Sequence, residues 1–136
     1  MIRTLLSTKA TTSSAGSFGL LILRLSVGLL MFTHGMPKLL EFSIRSETFD
    51  PIGLGGTFSL ILVVFAEVFC SAGIILGLLT RLAAIPLVIN MLVAVFVAHG
   101  GDPIAAKELG LLYLTAYTVI LFTGPGKYSV DKYLWK

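Results

Sequence analysis

The chain has 136 residues, of which 56% are hydrophobic and only 12% charged, with a formal net charge of +3. Soluble domains carry about 25% charged residues, so this composition, with a mean hydropathy of +0.96, excludes an ordinary soluble domain and predicts a single integral membrane domain in contact with the lipid bilayer. The basic residues are scattered and lack aromatic interleaving, which excludes a nucleic-acid partner.

The stretch from Met1 to Gly16 has apolar pieces too short for a signal peptide, followed by a Ser/Thr-rich tract. Residues 1–17 are expected to form a disordered tail ending at Ser17, a residue type that caps helices. Four apolar segments follow: 18–40, 57–79, 81–98 and 107–122. Crossing the hydrocarbon core takes roughly 20 apolar residues, and in lipid every backbone polar group must be satisfied internally, so these segments are expected to be helices. The last two are slightly short, which implies tilt or a thinned rim. The expected architecture is all-α, an integral membrane four-helix bundle over residues 18–123, with a short C-terminal tail over 124–136.

Lys and Arg in short flanks set orientation. Arg3, Lys9, Arg81, Lys127, Lys132 and Lys136 lie on one side, against Lys38, Arg45 and Lys107 on the other. Six against three predicts that both termini are cytoplasmic in a multi-pass protein of the bacterial inner membrane. The short turn at Leu79-Thr80-Arg81 makes spans two and three an antiparallel hairpin. The longer loop from Glu41 to Gly56 mixes turn residues such as Asp50-Pro51 and Gly53 with Phe42, Phe49 and Ile52, so it is expected to cap the bundle at the outer interface.

Several features read as structural. Cys70 is the only cysteine and sits in an apolar run, so it is expected to be a buried packing residue, and internal disulfide or CxxC chemistry is excluded. Gly73 and Gly77 form a GxxxG pair suited to helix packing. Tyr113 and Tyr117, one turn apart, read as packing or interface residues. GPGK at 124–127 lacks the spacing of a phosphate loop and reads as a helix stop.

The informative residues are polar ones inside the spans. An ionised group at the bilayer centre costs roughly 2.5–3.5 kcal/mol on insertion scales, so such groups face the bundle interior and find partners. At about 1.5 Å per residue, Arg24 lies about 9 Å into span one, Glu67 about 15 Å into span two and Asn90 about 13 Å into span three. This predicts a buried layer in which Arg24 pairs with Glu67 and Asn90 hydrogen-bonds nearby, either as a structural ion pair or as a proton-linked or ligand-binding pair. His34, Lys38, His99 and Glu108 fall at a second, outer level, where solvation with Lys38 snorkelling to water is the plain alternative to ligand binding. They lie on three spans without a metal-ligand spacing motif, so no metal site is assigned. Arg24, Gly28, Met31, Gly35 and Lys38 share one helical face and join both levels. The two glycines on that face admit a neighbouring backbone or a flat ligand.

Three strings resemble one family. LRLSVGLLMFTHGMPKL, with Arg24, Gly28, His34, Gly35 and Lys38, is similar to the first helix of DoxX family membrane proteins. AEVFCSAGIILGLLTRLAAIPL, with Glu67, Gly73, Gly77, Thr80 and Arg81, resembles their second helix and the turn after it. GPGKYSVD, ending at Asp131, resembles their closing motif. The resemblance spans residues 20–131 and implies a four-helix inner-membrane bundle with cytoplasmic termini. It also implies an association with oxidoreductase systems: thiosulfate oxidation coupled to quinone reduction in some relatives, oxidative or thiol stress in others, and no assigned activity in many. Buried Cys70 argues against thiol chemistry by this chain itself.

Three functional readings follow. The first is a small membrane subunit of an oxidoreductase or respiratory system binding a quinone or another lipophilic carrier. In it Glu67 and Arg24 would be the catalytic proton-relay pair, with Gly28, Met31, His34, Gly35, Lys38, Asn90, His99 and Glu108 as ligand-binding residues. The second is a non-catalytic scaffold or accessory subunit, bound to other membrane subunits or to copies of itself, with the ion pair fixing register. The third is a transporter or channel, for which the chain lacks a broken-helix pair.

Overall fold

The computed structural model describes residues 13–135, and among them every regular element is helical. Helix α1 runs Ser14–Leu40, the short α2 Phe42–Arg45, α3 Gly56–Leu76, α4 Thr80–Ala98, α5 Ile104–Thr123 and the short α6 Val130–Leu134. Helices α1, α3, α4 and α5 are long and apolar enough to cross a membrane. They alternate in direction, so one end of the bundle holds the start of α1, the α3–α4 turn and the C-terminal segment. The other, the loop end, holds α2 and the α4–α5 connection.

The expected tail over 1–17 is corrected in its last part. Ser13, not Ser17, is the N-cap of α1, its hydroxyl accepting from the Gly16 amide at 3.0 Å. Ser17 is fully buried and its hydroxyl accepts from the Lys127 amide. The rest of that tail, residues 1–12, lies outside the described residues.

Burial marks one face of α1: Leu20, Arg24, Gly28, Met31 and Gly35 are buried. A methyl group on Gly28 would sit 2.6 Å from Ile75, and one on Gly35 would sit 2.8 Å from the Cβ of Glu67. The two glycines thus let α1 and α3 approach backbone to backbone, and they set the register of the pair. Met31, Cys70, Ile74, Leu87, Tyr117 and Ile120 form the central core. Leu60, Val64 and Val68 form a second cluster at the loop end, under Phe42 and Phe49. Phe42 and Phe49 thus fold the 41–56 loop onto the bundle. Outward faces carry exposed Leu30, Phe58, Phe69, Phe96 and Leu112, an apolar coat suited to lipid and not to water.

Gly77 is not a packing glycine of a helix pair. It ends α3 in the left-handed conformation at φ 69°, with the Leu78 amide donating to the Gly73 carbonyl at 2.9 Å, the arrangement that commonly stops a helix. Leu79 follows at φ 49°, a conformation that costs a non-glycine residue about 1–2 kcal/mol.

Two further expectations change. The segment after α5 is not a free tail: Gly124, Pro125, Gly126, Ser129 and Asp131 are buried against the bundle end. Arg24 does not pair with Glu67. Its guanidinium donates to the carbonyls of Ile74 (3.0 Å), Ile75 (3.1 Å), Pro125 (2.9 Å) and Tyr128 (2.8 Å). The last carbonyls of α3 have no partner within their own helix, and Arg24 supplies one. The α1–α3 register set by Gly28 and Gly35 places Arg24 beside that helix end and not beside Glu67.

Candidate functional site

Glu67 lies in the middle of α3, where Phe65–Cys70 widens into a π-helical stretch. Such bulges re-aim side chains and occur often at functional sites. The Glu67 side chain is 6% exposed, and its two oxygens accept from Lys38 Nζ at 2.7 and 2.9 Å. Asn90 Nδ2 donates to the same carboxylate at 3.1 Å. Three helices therefore meet at one carboxylate: α1 brings the cation, α3 the anion and α4 the amide.

Lys38 does not snorkel to water. Its side chain is 22% exposed and turns inward, with the Phe49 ring of the capping loop 6.0 Å from its nitrogen. Arg24 and Lys38 are fourteen positions apart, about 21 Å along a helix, so the two cations of the stripe serve opposite ends of the bundle.

The carboxylate opens into a cavity of about 250 Å³ towards the loop end, lined among others by Met31, His34, Lys38, Glu67, His99 and Tyr113. His34 and Tyr113 meet edge to face at 5.9 Å, and Tyr113 stacks on Tyr117 at 6.0 Å. His99 lies at the mouth, its Nδ1 2.8 Å from Asp102. A π-helical stretch over Ala94–Ala98 precedes it. The cavity thus holds an ion pair, two imidazoles and a phenol, groups that can pass a proton and bind a polar head.

Most of the expected site residues converge here. Met31, His34, Lys38 and His99 line the cavity, Gly35 packs against Glu67, and Asn90 holds the carboxylate from the other side. Three do not. Arg24 belongs to the opposite end, Gly28 packs on Ile75 and Ser71, and Glu108 is exposed outside the cavity, which its neighbours Lys107 and Leu109 line instead. Among the described residues no three His, Cys, Asp or Glu side chains converge to hold a metal.

Tyr113 is the cavity residue that sequence reasoning set aside as packing. Its spacing of three from Gly110, which also lines the cavity, was the available signal. Nothing in the sequence announces the π-helical stretch under Glu67.

On the far side of Asn90 lies a second hollow, an apolar groove of about 280 Å³ between α3 and α4, lined by Phe65, Ala66, Pro86, Ile89, Asn90 and Val93 among others.

Comparison with known proteins places this geometry in context. The DoxX family model matches residues 19–100. An uncharacterized membrane protein of Mycobacterium tuberculosis is 30% identical, the match covering 89% of this chain and 84% of the relative. An uncharacterized protein of Haemophilus influenzae is 34% identical over 86% of this chain and 91% of its own. Inner membrane protein YqjF of Escherichia coli is 28% identical over 87% and 93% respectively. No solved structure gives a significant match.

Proposed function

The chain belongs to the DoxX family, and from that footing we propose that it is a small membrane subunit of an oxidoreductase system, binding a lipid-soluble carrier of the quinone class at the Glu67 centre. The observation that carries this reading is the buried Glu67 carboxylate, held by one cation and one amide and opening into a polar cavity. A purely structural ion pair needs no cavity beside it, and ionisable groups inside a membrane domain mark proton or ligand paths by default.

Within this reading Lys38 keeps the carboxylate oriented, and Glu67 holds or releases a proton beside the bound carrier. His34, Tyr113 and His99 line the route from Glu67 to the loop-end surface. A bound quinone supplies two-electron, two-proton chemistry, and the electrons come from a partner subunit of the system. The name of the Escherichia coli relative supports the bacterial inner membrane as the location. The six-to-three count of Lys and Arg favours both termini in the cytoplasm, with the cavity mouth on the outer side. A C-terminal alkaline phosphatase fusion that is active in intact cells would reverse that orientation.

Native mass spectrometry of the protein released gently from its own membrane tests the function. A stoichiometric adduct of quinone mass, lost in Glu67→Gln, is the expected result. A spectrum with only phospholipid, or only a partner chain, attached to the wild-type protein overturns it in favour of a scaffold role.

A further inference from the structure

Asn90 sits ten residues into α4, about 15 Å along a helix and so near the middle of a hydrocarbon core about 30 Å thick. Its Nδ2 donates to Glu67. That bond also settles which end of the amide is which, because a carboxylate accepts and an amide oxygen does not donate. Among the described residues no hydrogen bond reaches the Oδ1 atom of Asn90, and half-buried Asn90 borders the apolar groove between α3 and α4. An unpaired amide oxygen in a hydrocarbon environment is unfavourable by roughly 2–7 kcal/mol on transfer scales. The rest of the groove offers it no partner: Phe65, Ala66, Pro86, Ile89 and Val93 are apolar, and Ser59 at its edge donates its hydroxyl to Asp50 at 3.1 Å. The small Ala66 and the ring of Pro86 leave the hollow open. Its walls face outward, with Leu62 43%, Phe65 50% and Ile89 56% exposed, so in a membrane-spanning bundle it opens towards the lipid, with Pro51 and Ile52 of the capping loop also lining it.

We infer that this groove is the seat of the lipid-soluble carrier. The apolar chain lies along Phe65, Ile89 and Val93, and a hydroxyl of the polar head donates to Asn90 Oδ1. This rests on the carrier reading above and deepens it. Glu67 and Asn90 then form the partition between two compartments. The carrier occupies the apolar groove on the α3–α4 side, and the polar cavity lined by His34, Lys38 and His99 serves protons from the loop end. The ligand class is an amphiphile with a hydroxyl-bearing head small enough for a groove of about 280 Å³ and a tail that extends into the bilayer. That volume lies just under the roughly 300–1,000 Å³ of pockets that enclose a whole drug-sized ligand, as suits a head with its tail left outside.

The test uses the full chain in lipid nanodiscs and a decylubiquinol analogue carrying a diazirine in its alkyl tail, with unlabelled decylubiquinol as competitor. Competable crosslinks at Phe65, Ile89 or Val93 are expected. Ile89→Trp, which fills the groove from its exposed wall, should lower them about tenfold, a loss of about 1.4 kcal/mol of binding, with the melting temperature unchanged. Leu62→Trp fills the groove from the facing helix and should do the same, so misfolding of one variant leaves the other to decide. Competable crosslinks on the α1–α5 side, near His34 and Tyr113, that survive both variants overturn the groove assignment while the carrier reading stands. Crosslinks that no competitor displaces anywhere overturn both.

Discussion

The ammonium of Lys38 lies 2.7 and 2.9 Å from the two carboxylate oxygens of Glu67, across 29 positions of chain and two helices. Removing one partner of such a buried pair leaves the other charge uncompensated, which typically destabilises by about 3–5 kcal/mol. Lys38→Met and Glu67→Leu should each lower stability by that order, and the double variant by clearly less than the sum. Unfolding titrations of all four proteins in one detergent check this. Additive losses would show that the pair is not coupled.

Gly35 and Gly19 lie on the same helix in opposite situations. A Cβ at Gly35 would meet Glu67 and Val68 at 2.8 Å, whereas one at Gly19 meets nothing within 4 Å. Gly35→Ala should therefore push α1 off α3 at a cost of about 1–3 kcal/mol. Gly19→Ala should be neutral or stabilising by up to about 1 kcal/mol, because alanine is the better helix former. Equal melting temperatures for the two variants would contradict the backbone contact between α1 and α3.

Arg24 ties four carbonyls from α3 and the C-terminal segment. Lysine has three donors and no planar fork, so Arg24→Lys is not conservative here. The variant should free the 124–131 segment, with faster amide exchange and faster proteolysis there, while the Lys38–Glu67 centre about 21 Å away along α1 stays intact. Altered exchange around Glu67 with a protected C-terminal segment would refute this division.

Asp131 caps a helix to which it does not belong. Its carboxylate accepts from the Leu79 amide at 2.7 Å, the Thr80 amide at 2.9 Å and the Thr80 hydroxyl at 2.8 Å, and α4 has no side-chain cap of its own. Losing a cap costs about 0.5–2 kcal/mol, and here the bonds also hold Leu79 in its left-handed conformation. Asp131→Ala should lower stability by at least that much and speed exchange at the Leu79 and Thr80 amides. Leu79→Gly should recover part of the loss, since glycine adopts positive φ freely. Failure of that rescue would mean that strain at Leu79 is not what Asp131 holds.

Hydropathy is a local property, so the four spans, the all-helical class and the buried Cys70 were legible in the sequence within a few residues at each boundary. The shared face of Arg24, Gly28, Met31, Gly35 and Lys38 was legible too, because helical periodicity is also local. What the sequence could not convey was which polar groups meet. Counting depth along each span puts Arg24, Glu67 and Asn90 at similar levels, but it assumes regular helices and takes no account of the C-terminal segment. Only the tertiary structure decided otherwise. Contacts at Gly28 and Gly35 fix the register of α1 on α3, Glu67 meets Lys38 from within a π-helical stretch, and the returning C-terminal segment offers Arg24 carbonyls and α4 a cap. A buried charge goes to whichever partner packing brings within about 3 Å, and packing depends on the whole chain.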